Sequence, residues 1–271
     1  MRAENDGVGI SYEVHGDGRP VVLLHGFPDS SRLWRHQVPA LVGAGFKVVV
    51  PDLRGYGASD KPEDTAQYHV VHLVADVAAV LDAAGTARAH VVGHDWGAVV
   101  AWAMAIAMPE RVDHLVAMSV GHPSSFRGGG FDQLEKSWYM MFFQFGGVAE
   151  QWLAADDWAN LRAWSRHPDA DAVARELEAN GALTPALSYY RANVPPESYV
   201  RPPRELPSVQ APTMGIWSSG DFALTEGQMT RSAPYCATSW RYERVEGVGH
   251  WLQLEAPDTV NHLLVDFLAG G

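Results

Sequence analysis

The sequence predicts an α/β fold in which a mostly parallel sheet is flanked by helices and carries an inserted helical segment. Three observations support this fold class. Apolar β-branched runs alternate with helical patterns, one run turns tightly into an apolar helix at Gly93-His94-Asp95-Trp96-Gly97, and region 123–208 has no strand pattern. Alternating strands and helices are typical of such layered folds. With 271 residues, 47% of them hydrophobic, the chain can bury a large core.

The strands are predicted from short apolar runs rich in β-branched residues. Their predicted spans are 9–14, 21–25, 47–51, 90–93, 114–120, 213–217 and 240–245. Val21-Val22-Leu23-Leu24 is apolar at every position, which indicates a strand covered on both faces.

The helices are predicted from apolar residues that recur with helical spacing. Their predicted spans are 31–42, 68–84, 99–108 and 257–268. Gly85 follows the second of these, and a glycine in that place commonly ends a helix because it adopts a positive φ without strain.

Region 123–208 differs in character from the sequence on either side of it. It is rich in aromatic residues and helix formers, and it closes with Pro195-Pro196 and then Pro202-Pro203 to Pro207, which cannot form a regular helix. We therefore predict an α/β core made of 1–122 and 209–271, with 123–208 as a helical cap.

The bulk composition excludes several classes of partner. A formal net charge of -12 argues against nucleic acid and against an anionic membrane surface. Cys236 is the one cysteine, so no internal disulfide can form. The first residues contain no apolar stretch of the secretory type, and no apolar run approaches the length of a membrane span. The expected location is the cytoplasm.

The turn at Asp95 has the pattern of a nucleophile elbow. Gly93, Gly97 and Ala98 are small enough to let strand and helix pass closely, and a side chain at the apex lies at a helix N-terminus that favours an anion. A carboxylate can attack a saturated carbon and leave an ester that water cleaves, whereas serine would leave an inert ether. Asp95 therefore predicts a covalent hydrolase acting on an epoxide or an alkyl halide, although a simple helix cap is an alternative role.

A base and an acid that orients it are expected downstream of the nucleophile. Asp221 follows the predicted strand 213–217 and His250 follows 240–245, so both lie where parallel strands end at one edge of the sheet. The other usual position for the acid, 119–122, contains no carboxylate, which favours Asp221. Each residue alone could be an ordinary loop residue; the combination predicts His250 as base and Asp221 as its orienting acid.

The segment His25-Gly26-Phe27-Pro28 directly follows an apolar strand. Hydrolysis of an ester on Asp95 develops negative charge on a carbonyl oxygen, which backbone N–H groups must meet. The backbone amides of Phe27 and Trp96 are the predicted oxyanion hole, although an ordinary Gly-Pro turn would have the same sequence.

Two further patterns suggest ligands but are better explained without them. Gly55-Tyr56-Gly57 begins like a dinucleotide-binding motif, yet Asp60 stands where the third glycine belongs. His69 and His72 lie one helical turn apart, with no third metal ligand in view. We expect no cofactor and no metal.

Four motifs resemble those of the epoxide hydrolases of the α/β-hydrolase fold. They are His25-Gly26-Phe27-Pro28, the run from Asp52 to Pro62, Gly93-His94-Asp95-Trp96-Gly97 and Gly249-His250-Trp251. The resemblance implies two cap tyrosines that hold and protonate the epoxide oxygen. Tyr139 and Tyr190 match these positions, with Tyr189 as the alternative to Tyr190. Phenols suit this role because they are donors that stay protonated at neutral pH.

The expected function is conversion of an apolar epoxide and water to a vicinal diol, in a chain that can also form a homodimer. A haloalkane-type dehalogenase with the same three residues is the nearest alternative. It would need N–H donors for the halide; Trp96 offers one, but Phe27 occupies the position where a second would help. A non-catalytic binder of small ligands is the alternative from another class.

Overall fold

The computed structural model of the protein describes residues 1–200 and 206–270. Eight strands form one sheet in the order β1-β2-β4-β3-β5-β6-β7-β8. The strands are β1 Arg2–Asn5, β2 Val8–His15, β3 Arg19–Leu24, β4 Phe46–Pro51, β5 Ala89–His94, β6 Val112–Met118, β7 Thr213–Ser218 and β8 Trp240–Val245. The β1–β2 and β2–β4 pairings are antiparallel, and the other five are parallel. The predicted fold class is confirmed.

Twelve α-helices are present in the described residues. They are α1 Gln37–Gly43, α2 Val70–Ala83, α3 Trp96–Ala107, α4 Pro123–Phe126, α5 Gly130–Lys136, α6 Trp138–Phe142, α7 Val148–Ser165, α8 Ala170–Ala179, α9 Leu183–Asn193, α10 Glu226–Thr230, α11 Leu252–Glu255 and α12 Pro257–Ala269. Short 3₁₀ helices cover Ser31–Trp34, Thr65–Tyr68, Pro109–Arg111, Arg127–Gly129, Pro196–Tyr199 and Ala233–Tyr235.

The two faces of the sheet explain the apolar strands. In β3, Val22 and Leu24 belong to one buried cluster, while Val21 and Leu23 belong to the other. Successive side chains of a strand point to opposite faces, so a strand covered on both sides is apolar throughout.

Three local predictions were wrong in detail. β1 was missed because its sequence is short and largely polar; it forms by pairing with β2. The predicted helix 31–42 is a 3₁₀ turn followed by α1, since Pro39 can neither donate to the carbonyl of Arg35 nor avoid it sterically. α2 begins at Val70, because His69 is extended and serves as its N-cap.

The end of α2 was predicted correctly at Gly85. This glycine has a φ of 66°, and the N–H of Thr86 donates to the carbonyl of Leu81 at 2.8 Å. The bond satisfies a carbonyl that the last turn of the helix leaves free.

The chain between β6 and β7 contains six α-helices in its described residues, and we call residues 123–200 the helical insertion. It contains α4 to α9, and α7 is kinked where residues 155–158 leave helical geometry. Pro195 is extended, as the proline pattern predicted, whereas Pro202 and Pro203 lie outside the described residues. No helix in the described part of the chain is both long and apolar enough to cross a membrane.

Candidate active site

Asp95 lies at the apex of the turn between β5 and α3. Its φ of 52° and ψ of -121° are unusual for a residue with a side chain. The close approach of this turn to β3 requires glycine at position 97, because a Cβ there would collide with the carbonyl of Leu24. Gly26 is required for a similar reason, since a Cβ there would collide with the Asp95 side chain. The strained geometry is that of an elbow.

Both predicted oxyanion donors lie beside this carboxylate. The backbone N–H of Phe27 donates to Oδ1 of Asp95 at 2.8 Å. Trp96 is the first residue of α3, so its N–H has no partner within the helix. Oδ1 is therefore the carboxylate oxygen that the Phe27 N–H contacts.

Asp221 and His250 come together at the same edge of the sheet. Oδ2 of Asp221 lies 2.9 Å from Nδ1 of His250, and its Oδ1 accepts the N–H groups of Ala223 and Leu224 at 2.9 Å each. Nε2 of His250 lies 3.7 Å from Oδ2 of Asp95. The imidazole thus bridges two carboxylates.

This position controls the protonation of His250. Burial alone would lower its pKa, but the charges and hydrogen bonds of Asp221 and Asp95 raise the pKa to about 10. The pKa of Asp221 is lowered: burial opposes the shift, and the charge of His250 outweighs it. At neutral pH the resting site therefore holds an imidazolium between two carboxylates.

His94 supports the loop that carries His250. Burial, with the charge of His250, lowers the pKa of His94 to about 4, so this ring is neutral. Its Nε2–H donates to the backbone oxygen of His250 at 3.0 Å. A neutral donor fixed to a backbone carbonyl positions the loop and holds no proton to deliver at neutral pH.

Tyr139 of α6 and Tyr190 of α9 lie close together in the helical insertion, near enough to Asp95 for its charge to act on both. Their ring centroids are 5.9 Å apart at an interplanar angle of 81°. Burial first, and the charge of Asp95 second, raise the pKa of each phenol well above its ordinary value, so both hydroxyls stay protonated. The predicted tyrosine pair is therefore brought together next to the predicted nucleophile.

The adjacent Tyr189 points elsewhere. Its hydroxyl donates to the backbone oxygen of Arg54 at 2.7 Å. Tyr190, by contrast, has its ring edge-on to Trp96 at 5.1 Å, and the charge of Asp95 contributes to the raised pKa of its phenol. The geometry favours Tyr190 over Tyr189 as the second hydroxyl at the site.

Asp29 is a buried carboxylate at the site that the sequence reasoning did not single out. It accepts the indole N–H of Trp251 at 2.9 Å and lies 3.1 Å from Nε2 of His167. Its place directly after His25-Gly26-Phe27-Pro28 was the available signal, but its partners are 138 and 222 residues away in the chain.

The loop that contains Gly55 and Gly57 is held by contacts within the protein. Within residues 1–200 and 206–270, no three His, Cys, Asp or Glu side chains are grouped so that they could hold a metal ion. In the loop containing Gly57, Asp52 accepts the N–H groups of Ser31 and Ala58 at 2.9 and 3.0 Å. Arg54 pairs with Asp76 at 2.6 Å, so this loop is held by internal contacts.

Comparisons with known proteins identify the family. Residues 19–257 match the family described as alpha/beta hydrolase fold. Epoxide hydrolase A of Mycobacterium tuberculosis is 31% identical over 98% of this chain and 96% of that protein. Epoxide hydrolase 3 of Xenopus tropicalis is 31% identical over 99% of this chain and 77% of that protein. A mutant epoxide hydrolase of Bacillus megaterium, solved with its product, superposes with a TM-score of 0.90 at 30% identity, covering 99% of this chain and 100% of that one.

Proposed function

The chain belongs to the α/β-hydrolase fold family and, within it, to the epoxide hydrolases, and we propose that it converts an apolar epoxide to a vicinal diol through a covalent ester on Asp95. The observation that supports the proposal is the pair of neighbouring, protonated phenols, Tyr139 and Tyr190, on which the charge of Asp95 acts. An epoxide oxygen departs as an alkoxide and needs proton donors placed opposite the nucleophile.

In the first step, Oδ2 of Asp95 attacks an epoxide carbon and the C–O bond of the ring breaks. The epoxide oxygen takes a proton from Tyr139 or Tyr190, which leaves a hydroxy-ester and a tyrosinate. Oδ1 becomes the ester carbonyl oxygen, and the N–H of Phe27 already lies 2.8 Å from it. The imidazolium of His250 then returns a proton to the tyrosinate and becomes neutral.

Ester formation itself prepares His250 for the second step. The ester carries no charge, so the raising effect of Asp95 on the pKa of His250 is lost. The neutral imidazole takes a proton from water, whose oxygen attacks the ester carbonyl carbon. The developing oxyanion is met by the N–H groups of Phe27 and Trp96. Collapse releases the diol and restores the Asp95 carboxylate and the His250 imidazolium.

The helical insertion serves as a cap over the nucleophile in this mechanism. It supplies both phenols, and each is nearly fully buried, with 2% of its surface exposed. A buried, aromatic site favours apolar substrates. The product of the Bacillus megaterium relative is (R)-3-[1]naphthyloxy-propane-1,2-diol, so aryloxy epoxides are the first substrates to test. The cytoplasmic location and the homodimer stay predictions from the sequence.

The dehalogenase alternative is less well supported. A halide leaving group needs N–H donors near Asp95; Trp96 offers one indole N–H, and Phe27 occupies the position where a second donor would help. Two phenols near the nucleophile serve an alkoxide leaving group, which a dehalogenase does not generate.

The proposal is tested by assaying diol and halide release from a panel of epoxides and haloalkanes with the wild type, Asp95→Ala and His250→Gln. The wild type should form diol, and the Asp95→Ala variant should form none. The His250→Gln variant should form the ester but fail to hydrolyse it, so the measured mass of the protein should increase by the mass of one substrate molecule. Turnover of His250→Gln at the wild-type rate would contradict the mechanism. Release of halide without diol would show that the same residues serve a dehalogenase. If the protein formed neither diol nor halide, the ligand-binding alternative would be favoured.

A further inference from the structure

A surface cavity of about 630 Å³ lies between the helical insertion and the loop that follows β7. Its walls come from α5, the last turn of α7 and the loop that follows β7, including Lys136, Ala163, Trp164 and Phe222. The volume is in the range that small-molecule sites occupy. Nothing in the proposed mechanism uses this cavity, which we call the vestibule.

Two aromatic rings separate the vestibule from the predicted active-site residues. Trp164 lines the vestibule on one side, and its ring centroid lies 4.8 Å from that of Tyr139 on the other. Phe222 also lines the vestibule, and its centroid lies 5.8 Å from the imidazole of His250. The two rings meet edge to face at 5.8 Å and 87°. They form a shared wall one ring thick.

The predicted active-site residues behind this wall are largely buried in the structure. The side chain of Asp95 is 12% exposed and that of His250 is 4% exposed. A substrate must therefore displace side chains to reach Asp95. On the vestibule side, the guanidinium of Arg166 lies 5.7 Å from the Phe222 ring centroid, and Arg166 is exposed to solvent. An exposed side chain therefore covers part of this face of the wall, while both rings also pack against the buried core.

We propose that the vestibule is the substrate's access route and that Trp164 and Phe222 form a gate that determines how large an epoxide can reach Asp95. The distal group of a bulky epoxide stays in the vestibule between the two rings while its epoxide carbon meets Asp95. Acidic Asp132, Glu135 and Glu226 outnumber cationic Lys136 and Arg166 in the lining, which disfavours anionic substrates and admits neutral ones. This inference rests on the proposed function and adds to it which residues determine the size of the epoxides that the protein accepts.

The test narrows the vestibule without touching the triad, the tyrosines or the gate. Ala163 is exposed and lines the vestibule, whereas Ala159, one turn earlier in α7, is exposed and is not among the residues that line it. Ala163→Trp should lower kcat/KM for 1-naphthyl glycidyl ether by about 10-fold or more and that for 1,2-epoxybutane by less than about 2-fold. Ala159→Trp should change neither.

A second variant should favour the bulky epoxide over the small one instead of disfavouring it. Trp164→Ala removes half of the gate, so the ratio of kcat/KM for the naphthyl ether to that for epoxybutane should rise by about 5-fold or more. Equal ratios in the wild type, Ala163→Trp and Ala159→Trp would overturn the vestibule as the route, and an unchanged ratio in Trp164→Ala would overturn the gate. Diol formation by the wild type tests the proposed function separately, because a wrong route leaves that activity intact.

Discussion

His167 in the helical insertion lies 3.1 Å from Asp29 in the loop after β3, measured from Nε2 to Oδ1. The same carboxylate accepts the indole N–H of Trp251, the residue after His250. Burial would raise the pKa of Asp29, but the charge of His167 and these hydrogen bonds lower it. One buried carboxylate therefore ties the insertion to the sheet edge that carries the proposed base.

Replacing His167 with leucine should destabilise the protein by about 3 kcal/mol, because it leaves the Asp29 carboxylate buried with one donor fewer. Urea unfolding at neutral pH measures the change. The double variant His167→Leu, Asp29→Asn removes the charge as well and should recover part of the loss. Equal destabilisation of the single and double variants would show that the buried charge is not the cause.

Asp29 also makes stability depend on pH in a defined direction. Since its pKa is lowered from 3.8 in the folded state, its contribution is fully present above about pH 4 and is lost as the pH falls through the lowered value. The stability difference between the wild type and Asp29→Asn, measured by urea unfolding, should therefore shrink on acidification below about pH 4. A difference that grows in acid would contradict the assignment.

Tyr139→Phe and Tyr190→Phe should each slow ester formation by about 100-fold, because each removes a proton donor to the epoxide oxygen. Single-turnover kinetics with quenched intact-protein mass measure this step directly. Tyr189→Phe is the matched control: it removes the hydrogen bond to the Arg54 carbonyl and should leave ester formation near the wild-type rate. A large loss in Tyr189→Phe with none in Tyr190→Phe would reverse the assignment.

Hydrolysis of the ester should speed up as the pH rises, because His250 must be neutral to activate water. The pKa of His250 is about 10 beside two carboxylates, and the ester removes one of them. The apparent pKa of this step should therefore lie below about 10, and Asp221→Asn should lower it further while slowing hydrolysis by about 10³-fold. The decay of the ester at a series of pH values gives both quantities. A rate that falls with rising pH would contradict this role.

Breaking the buried ion pair between Arg54 and Asp76 should destabilise the protein strongly. The side chains of this pair are 0% and 2% exposed, so Asp76→Asn leaves a buried guanidinium without its counter-charge and should cost about 3–4 kcal/mol in urea unfolding. The exposed pair Arg88–Asp113 is the control, and Asp113→Asn should cost less than about 1 kcal/mol. Similar losses of unfolding free energy in the two variants would show that burial does not determine the cost of breaking an ion pair.

Local patterns were sufficient for much of the fold. The elbow at Asp95 could be read from neighbouring residues, because close approach of strand and helix requires small residues within a few positions. The apolar run of β3 was enough to predict that its successive side chains are buried on both faces of the sheet, in two separate clusters. β1 could not be predicted, since its polar sequence becomes a strand only by pairing with β2.

The sequence by itself determined the fold class, the elbow and the residue types at the strand ends, since these depend on local spacing and on the shared edge of a parallel sheet. Only the tertiary structure decided which tyrosine lies near Asp95 and that His167 meets Asp29. It also decided that His250 lies between two carboxylates. These relationships join segments far apart in the chain, and the side-chain directions that create them are fixed by how the helical insertion packs on the sheet edge, which no local pattern encodes.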